Sequence, residues 1–112
     1  MHYAQLAQAR EELTGPGGAF EIVTVTVGGV PVRAYRHALP DVRALWHSTA
    51  QFADRTYLVY GDERLTYAEA HTRVNAIAAW LAAQGVSSGD RVAIAMRNYP
   101  EWMLIYWACV ST

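Results

Sequence analysis

The run from Trp102 to Val110, WMLIYWACV, holds nine consecutive apolar residues. Pro100 ahead of it fits the first turn of a helix, and Glu101 carries an anion where the helix dipole favours one. The run is far shorter than the ~18 apolar residues a membrane-spanning helix needs. A helix that is apolar on every side has to be surrounded by protein. Two architectures satisfy that demand. In the first, Ser111 and Thr112 do not end the folding unit, and further chain covers the helix. In the second, copies of the chain bury it between them. The first is the expectation here.

The segments upstream supply the layers on which such a helix can rest. Thr66 and Glu69 form a capping box, with the hydroxyl taking the N3 amide and the carboxylate reaching back. Ala70, Val74, Ile77, Ala78 and Leu81 then fall on one apolar face, and Gly85 sits where a left-handed C′ residue belongs. The spacing predicts a helix over 66–85. Arg91 to Met96, RVAIAM, is a short apolar run of the kind found in buried strands. Asn98 and Pro100 open the final helix. Earlier, Thr56–Tyr60 and Arg64–Leu65 flank Gly61-Asp62-Glu63 as a small hairpin. Asp41 caps a helix carrying Val42, Leu45, Trp46 and Thr49 on one face, with Phe52 extending the stripe.

The opening of the chain reads separately. Tyr3–Leu13 is a helix with a thin apolar stripe, ended by Gly15-Pro16-Gly17-Gly18. Phe20–Val27 alternates, with Val23, Val25 and Val27 on one face. Gly28-Gly29 and Val30–Tyr35 complete a hairpin, and Pro31 suggests an edge position for its second strand. The expected organisation is a leader helix and glycine-rich linker over 1–18, a β-hairpin over 19–37, and the incomplete start of a larger domain over 38–112. The expected class is α/β, a β-hairpin followed by strand-helix-strand-helix, with a right-handed crossover if the strands are parallel.

At 112 residues, folding can remove about 65% of the unfolded chain's surface, enough for a core. With 53% hydrophobic and 17% charged residues the chain is not disordered. A single cysteine, Cys109, excludes a disulfide scaffold. A net charge of −1 argues against nucleic acid as the main partner. The first ten residues lack the basic head and apolar stretch of a signal peptide, so a cytoplasmic location is expected.

Chemistry is sparse. All nine basic residues are arginines, so no lysine is present to form a Schiff base or reach a phosphate. Gly15–Gly18 precedes a hairpin rather than a helix and fails the context of a phosphate loop. His2, His37, His47 and His71 show no metal-ligand spacing. Cys109 lies in the most apolar segment, where a thiol is a packing residue. Ser48, Ser87, Ser88 and Ser111 lack a nucleophile elbow. Trp46, Trp80, Trp102 and Trp107 with seven tyrosines read as core or interface aromatics. No catalytic, cofactor-binding or metal-ligating residue is assigned.

Three pieces, in order, nonetheless form a pattern. They are Leu65-Thr66-Tyr67-Ala68-Glu69, then Gly85-Val86 with Gly89-Asp90-Arg91-Val92-Ala93-Ile94, then Asn98-Tyr99-Pro100-Glu101-Trp102. From Leu58 onward the chain resembles the opening of the adenylate-forming, AMP-binding enzymes: acyl-CoA synthetases, luciferases and the adenylation domains of peptide synthetases. The wording Met96-Arg97-Asn98-Tyr99-Pro100-Glu101-Trp102 is most similar to fatty-acid and related carboxylate CoA ligases. Tyr99 departs from the serine often found there, although Asn98 can cap the helix instead.

The resemblance implies a large N-terminal domain followed by a mobile C-terminal one. It implies ATP and Mg²⁺ as cofactors, a carboxylic acid substrate activated as an acyl-adenylate, and coenzyme A as the acyl acceptor. The phosphate loop, adenine and ribose motifs and catalytic lysine of that family have no counterpart in these residues. The implied role of the segment is architectural, its partner is the remainder of its own N-terminal domain, and the segment alone is expected to be inactive. Two alternatives stay open: an adenylation domain that loads a carrier protein, and a small non-enzymatic oligomeric module.

Overall fold

The computed structural model describes residues 3–111. The chain divides into two compact units, Met1–Leu39 and Pro40–Thr112.

In the first unit, helix α1 (Tyr3–Thr14) has no buried residue. Leu6 and Leu13 of its thin stripe are about half exposed. Gly18 follows it so closely that a Cβ there would collide with the carbonyl oxygens of Glu12 and Leu13. Strands β1 (Ile22–Val27) and β2 (Val30–Tyr35) pair antiparallel, with Val27 opposite Val30 and Ile22 opposite Tyr35. Gly28 and Gly29 form the two-residue turn with φ of 57° and 83°, both in the left-handed region a type I′ turn requires. Arg36 Nε holds Glu21 Oε1 at 2.8 Å, and Gly17 N–H donates to Glu21 Oε2 at 3.1 Å. The Gly17 amide, then Arg36, lowers the Glu21 pKa.

The second unit contains α2 (Val42–Ser48), a 3-10 turn (Thr49–Phe52), β3 (Thr56–Tyr60), β4 (Glu63–Thr66), α3 (Tyr67–Ala83) and α4 (Pro100–Ser111). Asp41 caps α2, with its Oδ1 accepting from Ala44 N–H at 2.6 Å. Strands β3 and β4 form an antiparallel hairpin with an irregularity between Thr56 and Leu58. The capping box of α3 is complete: Thr66 Oγ1 accepts from Glu69 N–H at 3.2 Å, and Glu69 Oε2 accepts from Thr66 N–H at 2.8 Å. At the other end Val86 N–H reaches Leu81 O and Gly85 N–H reaches Ala82 O. This is a Schellman closure, made possible by Gly85 at φ 90°.

The core of this unit is Trp46, Leu65, Ala70, Val74, Ala78, Leu104 and Ala108. It joins α2, β4, α3 and α4. Alanines at 70, 78 and 108 keep the α3–α4 contact close, since no long side chain holds the helix axes apart. Tyr57, Leu58, Ile77, Leu81 and Trp107 pack around the rim.

The structure departs from the expected elements in two places. The segment Arg91–Met96 is not a strand. Both two-stranded sheets are antiparallel hairpins, and among the described residues there is no parallel pairing and no strand-helix-strand crossover. The reason is physical: a strand is defined by a ladder, and no neighbouring strand is present to make one. The observed class is mixed α and β, two hairpins and four helices. Second, of the Asp41 helix stripe only Trp46 is fully buried, while Val42 and Leu45 remain nearly half exposed. Helix α4 buries only Leu104, Ala108 and Ser111, and its other apolar residues are half-buried.

Candidate functional site

The densest side-chain arrangement surrounds Trp46 in the second unit. The α2 cap and the following 3-10 turn bring Trp46 and Thr49 against α3. There the His71 ring stacks on Trp46, with centroids 4.1 Å apart and planes 24° from parallel. Trp107 of α4 also stacks on Trp46, at 4.7 Å and 18°. Tyr57 of β3 lies at 5.7 Å, tilted by 58°. Its hydroxyl accepts a 2.6 Å hydrogen bond from Trp107 Nε1. Four elements thus meet on one indole that is 1% exposed.

The hydrogen bonds fix a tautomer. Thr49 Oγ1 donates its single hydrogen to Trp46 O at 2.7 Å. The same oxygen lies 2.9 Å from His71 Nε2, so it accepts there, and Nε2 carries the proton. Burial, then the neighbouring His47, lowers the His71 pKa, favouring the neutral ring. Burial likewise raises the Tyr57 pKa. Trp46 Nε1 is buried with no acceptor. An unmade hydrogen bond of that kind costs about 1–3 kcal/mol.

This cluster is a structural lock. Thr49, Tyr57 and the tryptophans are neutral, and among the described residues no carboxylate is hydrogen-bonded to or ion-paired with His71. His71 is a half-buried histidine packed on Trp46. Its partners lie on another element, Thr49 of the 3-10 turn, and no local spacing could have indicated them.

The remaining candidates stay apart. Cys109 is half-buried, and burial raises its thiol pKa, opposite to what a nucleophile needs. Among the described residues no three His, Cys, Asp or Glu gather to hold a metal; His2 lies outside them. Gly15–Gly18 leads into a strand, and its Gly17 amide is already taken by Glu21. Ser87 is bound to Asp90, and Ser111 Oγ donates to Trp107 O. The sequence has no lysine, and among the described residues no cluster of acidic ligands gathers. Trp80 is 61% exposed, so it is not a core residue.

An open groove of about 910 Å³ runs between α3, the loop after it and α4. Its lining is largely apolar, with Leu81, Val92, Ile94, Tyr106 and Val110 among its walls. Asn75, Ser87, Ser88 and Asp90 are its polar lining, and Ser87 and Asp90 are hydrogen-bonded to each other.

Comparison with known proteins places the chain. The AMP-binding enzyme family matches residues 45–112. A medium/long-chain-fatty-acid–CoA ligase of Mycobacterium tuberculosis is 46% identical over 62 residues, covering 55% of this chain and 10% of the relative. A long-chain-fatty-acid–CoA ligase of Bacillus subtilis is 33% identical over 63 residues, 56% of this chain and 11% of the relative. An acetyl-coenzyme A synthetase of Aeromonas hydrophila is 36% identical over 90 residues, 73% of this chain and 14% of the relative. No solved structure matches. The chain spans between 10% and 14% of the length of these three relatives. With the match running from Leu45 through the capped helix to the end of α4, the chain belongs to the AMP-binding enzyme family.

Proposed function

We propose that the chain is the N-terminal segment of an ATP-dependent carboxylate–CoA ligase of fatty-acid type. The observation that carries this reading is the family match over residues 45–112, together with relatives named as fatty-acid–CoA ligases. In this reading 1–18 is a leader, 19–37 a hairpin, and 38–112 the start of the AMP-binding domain. The whole enzyme uses ATP and Mg²⁺ to adenylate a carboxylic acid and passes the acyl group to coenzyme A. The segment holds none of that chemistry itself. It supplies the locked α2–α3–α4 layer on which the rest of the domain is built. We place the enzyme in the cytoplasm; no helix among the described residues is long and apolar enough to cross a membrane. Loading of a carrier protein and a non-enzymatic oligomeric module are not favoured, since the named relatives are CoA ligases.

The test is a segment swap. This chain replaces the corresponding N-terminal segment of the M. tuberculosis ligase, and fatty-acid-dependent ATP–pyrophosphate exchange is measured. The expected result is exchange in the chimera and none in the 112-residue chain alone. A folded chimera without exchange, or exchange by the chain alone, contradicts the reading.

A further inference from the structure

Strands β1 and β2 form a sheet of their own, so each has one outer edge. Arg36 N–H donates to Glu21 O at 2.8 Å, which sets the phase of the ladder. Every second pair from there, Val23–Ala34, Val25–Val32 and Val27–Val30, exchanges its hydrogen bonds inside the hairpin. The alternate pairs, Ile22–Tyr35, Thr24–Arg33 and Thr26–Pro31, aim their backbone groups outward. The β2 edge is blunted. Pro31 has no N–H, Arg33 is charged, and Tyr35 O already accepts from Ala38 N–H at 3.2 Å. The β1 edge has no such protection. Its sequence, IVTVTV, contains no charge, proline or glycine, and Thr24 and Thr26 are exposed. Among the described residues, the outward N–H and C=O groups of Ile22, Thr24 and Thr26 have no hydrogen-bond partner.

We infer that β1 is a self-pairing edge, through which two copies of this chain join antiparallel into a four-stranded sheet of order β2-β1-β1-β2. The strand itself selects a second copy as the occupant. A two-fold axis through Thr24 sets Thr24 against Thr24 of the second copy, and Ile22 against Thr26 in both directions. These are the three outward residues, so every open group on the edge is met, with two hydrogen bonds for each of the three pairs. Moving the axis to Val25 sets Ile22 against Gly28 in the turn and keeps only two such pairs. With the axis at Thr24, Val23 and Val25 lie beside each other across it, and such β-branched pairs add packing. No like charges meet, since Glu21, just ahead of the strand, is held by Arg36. A six-residue β-branched segment without charge or proline is also the kind of edge that pairs with its own copies. The hairpin lies outside the residues 45–112 that match the family, so this interface does not depend on the ligase reading. The contact is one strand long and smaller than a standard interface of roughly 1,200 Å² or more. The dimer is therefore transient, with a Kd of about 10–100 μM.

Sedimentation and residue-resolved amide exchange of the 112-residue chain, from about 5 to about 300 μM, test this. The chain passes from mostly monomer to mostly dimer. Over the same range the Thr24 and Thr26 amides slow about three- to fivefold, as mass action gives for such a Kd. The Val23 and Val25 amides, bonded inside the hairpin, are protected at both ends of the range. Thr24→Pro deletes the outward amide at the axis without touching the hairpin ladder, and weakens dimerisation at least tenfold. Thr24→Lys keeps the backbone, sets two like charges face to face, and has the same effect. Arg33→Pro, the equivalent change on the β2 edge, leaves the dimer intact. A chain that stays monomeric at about 300 μM overturns the proposal. So does association that both Thr24 variants leave unchanged, which moves the interface to another face, such as the groove beside α4. Equal weakening by Arg33→Pro overturns the choice of edge. Protection of Thr24 and Thr26 in a monomeric segment-swap chimera at about 5 μM also overturns it, and gives the edge to the remainder of the ligase.

Discussion

Leu104→Ala tests how α4 is held. Leu104 is 2% exposed and packs into the core with Val74, Ala78 and Ala108. The substitution removes about three carbon groups, roughly 2.4 kcal/mol of transfer free energy at ~0.8 kcal/mol each. The unfilled space adds to this, for a total of about 3 kcal/mol. A unit of this size has a stability near the low end of the usual range, about 5 kcal/mol. The variant therefore loses more than half of its urea midpoint, read from the fluorescence of Trp46 and Trp107. Ile105→Ala is the matched control. It removes a similar side chain from the same helix, but from a half-buried position, and its cost is about 1 kcal/mol. Equal losses at 104 and 105, or a loss below about 1 kcal/mol at 104, refute the one-sided packing of α4.

Other outcomes follow from the same geometry. Thr66→Ala removes the α3 capping box and costs about 1 kcal/mol in urea unfolding; an unchanged midpoint contradicts the cap. Gly85→Ala forces a Cβ onto a residue at φ 90° and costs about 1–2 kcal/mol, measured the same way. The His71 pKa is lowered in the fold, so its stabilising contribution is complete above the ordinary value near 6.5 and is lost as pH falls through the folded-state pKa. Melting temperature should fall between pH 7 and 5, and His71→Gln should flatten that slope. Nitrogen chemical shifts of His71 at pH 7.5 should show the proton on Nε2; a proton on Nδ1 contradicts the Thr49 hydrogen-bond assignment.

Local signals in the sequence carried much of the fold. The Asp41 cap, the Thr66–Glu69 box, Gly85 and the Gly28-Gly29 turn each act within a few residues, so their chemistry can be read in place. The strand assignment for Arg91–Met96 failed for the opposite reason: its side chains suit a strand, but a strand also requires a neighbour, and none is among the described residues. Trp102–Val110 was legible as a helix needing cover, yet not which residues would turn inward. That depends on the alanines of α3 facing Leu104 and Ala108. The site was least legible. The stack of His71 and Trp107 on Trp46, with the Thr49 and Tyr57 bonds, joins residues distant in sequence, and no spacing rule connects them.

Reconstitution in trans tests whether this chain works as one piece of a carboxylate–CoA ligase domain. The M. tuberculosis relative is produced without its matched N-terminal segment and mixed with the 112-residue chain, and acyl-CoA formation is followed with a fatty acid, ATP, Mg²⁺ and coenzyme A. Neither component is expected to form product alone, whereas the mixture is expected to, with a one-to-one complex in sedimentation. A one-to-one complex that makes no acyl-CoA, or two soluble components that do not associate, contradicts it.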